Sequence, residues 1–140
     1  MNKLFLINAL LCFPIMCCAQ YSVEGVWSIE QYPNMNSTIE YEFSWGKKNI
    51  PRSFDIIVDL HSEKPKIIIY QFSTDDIISI TERGDVIELT FYFARGNFNV
   101  TMICHFNKDG TMWIEPLEGG LTFFRTGEDQ IYYKICDAKE

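Results

Sequence analysis

From residue 21 onward apolar and polar side chains alternate at a period close to two, and no segment sustains the 3.6-residue period of an amphipathic helix. The sharpest alternation is 38–45, where Ile39, Tyr41, Phe43 and Trp45 fall on one face and Glu40, Glu42 and Ser44 on the other. The same pattern predicts strands at 23–31, 54–60, 65–72, 77–82, 86–93, 98–106, 111–115, 121–125 and 130–136. Residues 32–37 and 74–76 read as turns and 46–53 as a polar loop, while Arg83-Gly84-Asp85 and Asn107-Lys108-Asp109-Gly110 read as hairpin turns. Asp109-Gly110 is the strongest of these signals, because tight hairpins need positive φ angles.

Connections this short make consecutive strands antiparallel neighbours. A meander of so many strands exposes two edges unless it closes on itself. The prediction is therefore all-β: a single antiparallel up-and-down β-barrel of eight to ten strands. A two-sheet sandwich would need longer crossovers than the chain contains.

Residues 1–19 stand apart. Lys3 is their only charge, and 4–7 and 9–16 are apolar apart from Pro14, as in a secretory signal peptide too short to span a bilayer. Two processing routes fit this segment. Cleavage after Ala19 would release a mature domain of residues 20–140 to the periplasm or medium. Acylation of Cys18, within Ile15-Met16-Cys17-Cys18, would instead anchor the chain to an outer membrane surface as a lipoprotein. Removing the segment takes away Lys3 and no acid, leaving 11 basic against 19 acidic residues, which disfavours nucleic acid as a partner. Of the five cysteines only Cys104 and Cys136 would survive cleavage. An oxidising compartment invites a disulfide between them, whereas strand parity sets Cys104 on an apolar face and Cys136 opposite Ile135.

His61 and His105 sit in different segments with no Cys or carboxylate at metal-ligand spacing, so neither metal nor cofactor is expected. No nucleophile elbow, phosphate loop or zincin motif is present, and the chain reads as a non-enzyme. Asp55 and Asp59 share one strand face and read as its solvated side. Counting strands places Lys47, Lys48, Arg52 and Arg95 at the barrel end where the first strand begins, a basic cluster in an acidic chain. The same count sends Tyr32 to the opposite end with 61–65, 83–85 and 108–110. Asn36-Ser37-Thr38 and Asn99-Val100-Thr101 have the form of glycosylation sequons.

The secretion signal, the meander and Gly25-x-Trp27 on the first strand together resemble the lipocalins and the wider calycin superfamily, especially small bacterial lipocalin-like domains. The resemblance implies that Trp27 plugs one barrel end, that Gly25 permits close packing there, and that Arg125 stacks across the indole. If the barrel closes, the alternation turns Ile29, Tyr41, Phe43, Ile56, Val58, Phe91, Phe93, Val100 and Met102 inward, where they either fill the interior or, with a hydroxyl from Tyr133, form the binding site of one small ligand. The chain lacks the helix that follows a full lipocalin barrel and the Arg-x-Tyr carboxylate grip of fatty-acid carriers, reading Tyr132-Tyr133-Lys134 instead. The expected function is a secreted binding protein for a small hydrophobic ligand or a protein partner. The alternative is a secreted inhibitor of a protease or other hydrolase acting through rim loops.

Overall fold

A computed structural model describes residues 21–44 and 46–137. The expected signal segment, Cys18 and Trp45 lie outside the described residues. The strands are β1 (Gly25–Ser28), β2 (Thr38–Phe43), β3 (Gly46–Pro51), β4 (Ile56–Asp59), β5 (Lys66–Ile69), β6 (Ser73–Arg83), β7 (Val86–Phe93), β8 (Phe98–Phe106), β9 (Met112–Ile114) and β10 (Tyr133–Cys136). Eight of them form one antiparallel sheet in the order β10-β1-β4-β5-β6-β7-β8-β9. Its two edge strands meet at one bridge, where the Met112 and Tyr132 backbones exchange N–H···O bonds of 3.1 and 2.8 Å. The all-β, up-and-down barrel read from the pattern is thus the fold, nearly closed.

One element departs from the meander. β2 and β3 pair only with each other and lie outside the barrel wall. Residues 46–51 form β3 rather than a loop, although their only buried side chains are Ile50 and Pro51. That extra strand reverses the direction of every strand after it relative to β1. The turns at 61–65, 84–85 and 107–110 therefore lie at the end where β1 begins, and those at 70–72 and 94–97 at the other. The four basic residues do not cluster. Lys47 and Lys48 lie toward the hairpin tip, Arg52 donates to Ser37 Oγ and the Thr38 carbonyl at its base, and Arg95 donates to the Phe72 carbonyl.

The hairpin explains why β1 and β4 are buried on both faces. Inward, Trp27, Ile56 and Val58 join the barrel core. Outward, Val26 and Ile57 pack with Phe43, Ile50 and Phe54 beneath the hairpin. β6 starts at Ser73 instead of after a 74–76 turn, because Gln71 takes the positive φ (69°) and turns the chain earlier. A register shift between Ile77 and Ser79 then lets Ile77 and Ile80 both face inward and leaves Ile78 exposed. Residues 121–125, read as a strand, stay irregular. The buried Tyr132 hydroxyl accepts from the Arg125 N–H (2.8 Å) and donates to the Arg125 carbonyl (2.9 Å), taking both groups a strand partner would use.

Candidate functional site

The barrel interior is filled by its own side chains. Val58, Ile67, Leu89, Phe91, Met102 and Ile114 are buried to 4% exposure or less, and Trp27 is at 0%. Burying one indole removes roughly 150–250 Å2 from water, worth about 4–6 kcal/mol at ~25 cal/mol/Å2. Its Nε1–H donates to the Val23 carbonyl at 2.8 Å, so the polar edge is satisfied inside. Phe106 meets Trp27 edge-on at 5.9 Å, and Tyr21 stacks on Phe106 at 5.3 Å. These three rings stop the end where β1 begins.

The cation over the plug is Lys134, not Arg125. Trp27 is in register with Lys134 across β1 and β10, and the ammonium sits 5.2 Å above the indole while donating to the Ser22 carbonyl at 3.0 Å. Gly25 makes the passage for that side chain. A Cβ there would lie 2.9 Å from the Cys136 carbonyl oxygen and 3.2 Å from the Lys134 stem, at a φ of +137° that side chains rarely adopt. Arg125 is exposed beside 122–124 at the other end. Reading the β1/β10 register, rather than position along the chain, is what finds Lys134.

The remaining predicted residues divide. Ile56, Val58, Phe91, Phe93, Val100 and Met102 converge in the interior, and Ile29 packs half-buried against it. Tyr41 and Phe43 lie outside the wall, edge to face at 4.5 Å under the hairpin, because β2 is not a barrel strand. Tyr133 faces an external groove, since Tyr132 takes the inward position. No disulfide joins Cys104 to Cys136; Cys104 is fully buried, with its pKa pushed up to about 12 by burial, and Cys136 packs with the outer cluster.

Where the wall could open, it holds little space. The far mouth, covered by 122–125, has a recess of about 210 Å3 bordered by Ile56, Ile69 and Tyr132, below the ~300 Å3 floor of ordinary ligand sites. A second recess of about 380 Å3 runs along the outside of β8, between Asn99, Thr101, Ile103 and Leu117. A larger groove, about 590 Å3, lies outside the plugged end between Tyr21, Tyr32, Phe106, Asp109, Thr111 and Tyr133. Tyr32 is 87% exposed, and the Tyr21–Phe106 stack forms part of the lining. Strand counting paired Tyr32 with the 108–110 turn, and the groove brings them together at the plugged end.

Charged groups near this end are mostly engaged. Glu24, 5% exposed, accepts from the Leu60 N–H at 2.9 Å and meets His61 Nδ1 at 2.8 Å. Asp59 is buried too, not solvated, and its Oδ1 has no hydrogen-bond partner among the described residues. Burial, then the charge of Glu24, raises its pKa, with the His61 backbone N–H, Lys66 and the His61 ring opposing. Burial, then the Asp59 charge, pushes the Tyr41 hydroxyl up to about 12. Asp55 is also raised, by burial, against the hydrogen bond it accepts from the Ile29 N–H (2.9 Å). On the outer wall His105 stacks flat on Trp113 at 4.3 Å and meets Glu115 at 2.6 Å. Among the described residues no three of His, Cys, Asp or Glu are grouped to hold a metal. Compared with known proteins, the chain matches no family model, no curated protein and no solved structure.

Proposed function

We propose that the chain is a secreted, non-enzymatic binding protein on a lipocalin-like barrel, and that it meets its ligand or partner outside the barrel, in the groove bounded by Tyr21, Tyr32, Phe106 and Tyr133. The observation that carries this reading is the contrast between a filled interior and an aromatic groove of about 590 Å3 at the plugged end. A barrel of about eight strands either fills with its own side chains or holds one small ligand, and the filled case moves recognition to the surface. Gly25-x-Trp27 supports the lipocalin-like part: Trp27 stops one end and a cation from the last strand covers it. Native mass spectrometry of protein purified from its source tests the location. A bound molecule or partner lost in Tyr32→Ala, at unchanged thermal stability, supports the groove; one that survives both Tyr32→Ala and Tyr133→Ala moves recognition off the groove.

The inhibitor reading draws on a different feature. Residues 81–85 at the β6–β7 turn are exposed, and Arg83 bonds Glu88 at 3.1 Å across the two strands. An exposed turn braced by the barrel wall suits contact with an enzyme surface. Replacing Arg83 and Asp85 by Ala together would abolish inhibition of a co-secreted hydrolase if this hairpin carries it.

A further inference from the structure

The groove at the plugged end has a chemistry that narrows its ligand. Aromatic rings from Tyr21, Tyr32, Phe106 and Tyr133 are interspersed with the hydroxyls of Ser22 and Thr111 and the amide of Gln31. One wall is set before any ligand arrives. Thr111 Oγ1 accepts from Asn107 Nδ2 at 3.0 Å and donates to Asp109 Oδ1 at 2.6 Å, while the Thr111 N–H also donates to Asp109 Oδ1 at 3.0 Å. The lining holds one acid, Asp109, and one base, Lys134, and so carries no net charge. The Lys134 ammonium donates to the Ser22 carbonyl over the Trp27 ring, and Thr111 bonds one Asp109 oxygen. A ligand with a net charge therefore meets no net counter-charge at these contacts. A purely apolar ligand fits poorly as well, since apolar recognition favours enclosed pockets that cover most of the ligand. What remains is a neutral molecule with both flat C–H surfaces and many hydroxyls.

We infer that this groove binds a short neutral oligosaccharide, its ring C–H surfaces packing on the tyrosines and its hydroxyls bonding Thr111, Ser22 and Gln31. The inference rests on the groove being the binding surface, as proposed above, and specifies what occupies it. A volume of about 590 Å3 lies within the ~300–1,000 Å3 of small-molecule sites. The pre-bonded Asn107-Thr111-Asp109 wall lowers the ordering cost of recognition.

The test is an array of neutral oligosaccharides of glucose, galactose, mannose, xylose and N-acetylglucosamine probed with the full chain, followed by calorimetric titration of the strongest hit. Binding is expected, and Tyr32→Ala is expected to weaken it about threefold to tenfold, the worth of one aromatic contact, without changing the melting temperature. Thr111→Val, which keeps the side-chain volume and removes the hydroxyl, is expected to weaken it by a similar factor. An array without hits, or a hit that both variants bind unchanged, overturns the assignment. Capture of a protein or apolar molecule through Tyr32 with no oligosaccharide bound would overturn the saccharide while leaving the groove as the binding surface. Loss of both would overturn the groove as well.

Discussion

β1 and β4 each face two apolar environments, and the two differ in kind. Inward lies a core drawn from barrel strands β1 and β4 through β9, with Trp27, Leu89, Phe91 and Met102 at its centre. Outward lies a smaller cluster made when one hairpin lies down on the wall, with Phe43 and Ile50 meeting Val26 and Ile57. The first cluster is a condition for the barrel to exist; the second holds an appendage to a barrel already formed. Side chains one residue apart on the same strand thus serve different cooperative units, and substitutions at neighbouring positions separate them.

Trp27→Ala strikes the inner unit hardest. It empties a fully buried site and strands Lys134, and a loss of about 4–5 kcal/mol is expected in denaturant unfolding, enough to unfold much of a marginal domain. Phe43→Ala removes the hairpin's main anchor and should cost about 3 kcal/mol. Its signature differs, because hydrogen exchange should accelerate in 38–51 while β7 and β8 stay protected. Equal acceleration in both regions would show that the two clusters unfold as one unit. Gly25→Ala lies on the boundary, forcing a side chain toward the Cys136 carbonyl at positive φ, and should cost about 1–3 kcal/mol.

Asp59 sharpens the comparison through pH. Its folded pKa is raised above the ordinary 3.8, so folding favours the protonated form. The stability it supports is fully present below the unfolded value and is lost as pH rises through the higher folded value. Asp59→Asn should therefore be more stable than the parent at neutral pH, with the difference vanishing at acid pH. Matching thermal melts at several pH values check this; a constant difference would mean that Asp59 does not titrate on folding. The groups that face it, Glu24, His61, Lys66 and Tyr41, remain in both proteins. The smallest effect is expected for Lys134→Met, which keeps an unbranched stem and removes the ammonium from the Trp27 ring. A loss of about 0.5–1 kcal/mol should appear in denaturant unfolding.

The barrel was legible wherever a strand carries its own alternation. β7 and β8 run in register from Val86↔His105 to Phe93↔Phe98, and the 107–110 turn is stated locally by Asp109-Gly110. The inward positions of Ile56, Phe91 and Met102 follow from the same period of two. β3 was not legible, since Gly46-Lys47-Lys48-Asn49 has no apolar face and its pairing with β2 supplies what its sequence does not. That omission propagated, because in an antiparallel chain one uncounted strand inverts every later direction. The 121–125 segment failed in the opposite sense: its pattern suits a strand, but Tyr132 takes its backbone bonds.

What the sequence determined by itself was therefore the strand alternation, most of the tight turns and the antiparallel pairing of consecutive strands from β4 onward, since these depend on residues a few positions apart. Only the tertiary structure decided which sheet face β2 covers, which cation crosses Trp27, and that Tyr32 and Thr111 line one groove. Alternation says that a strand has an apolar side but not what that side will touch. Partners distant in the chain, such as Lys134 above Trp27 or Tyr21 on Phe106, are set by register across the sheet, a property of two strands together and of neither alone.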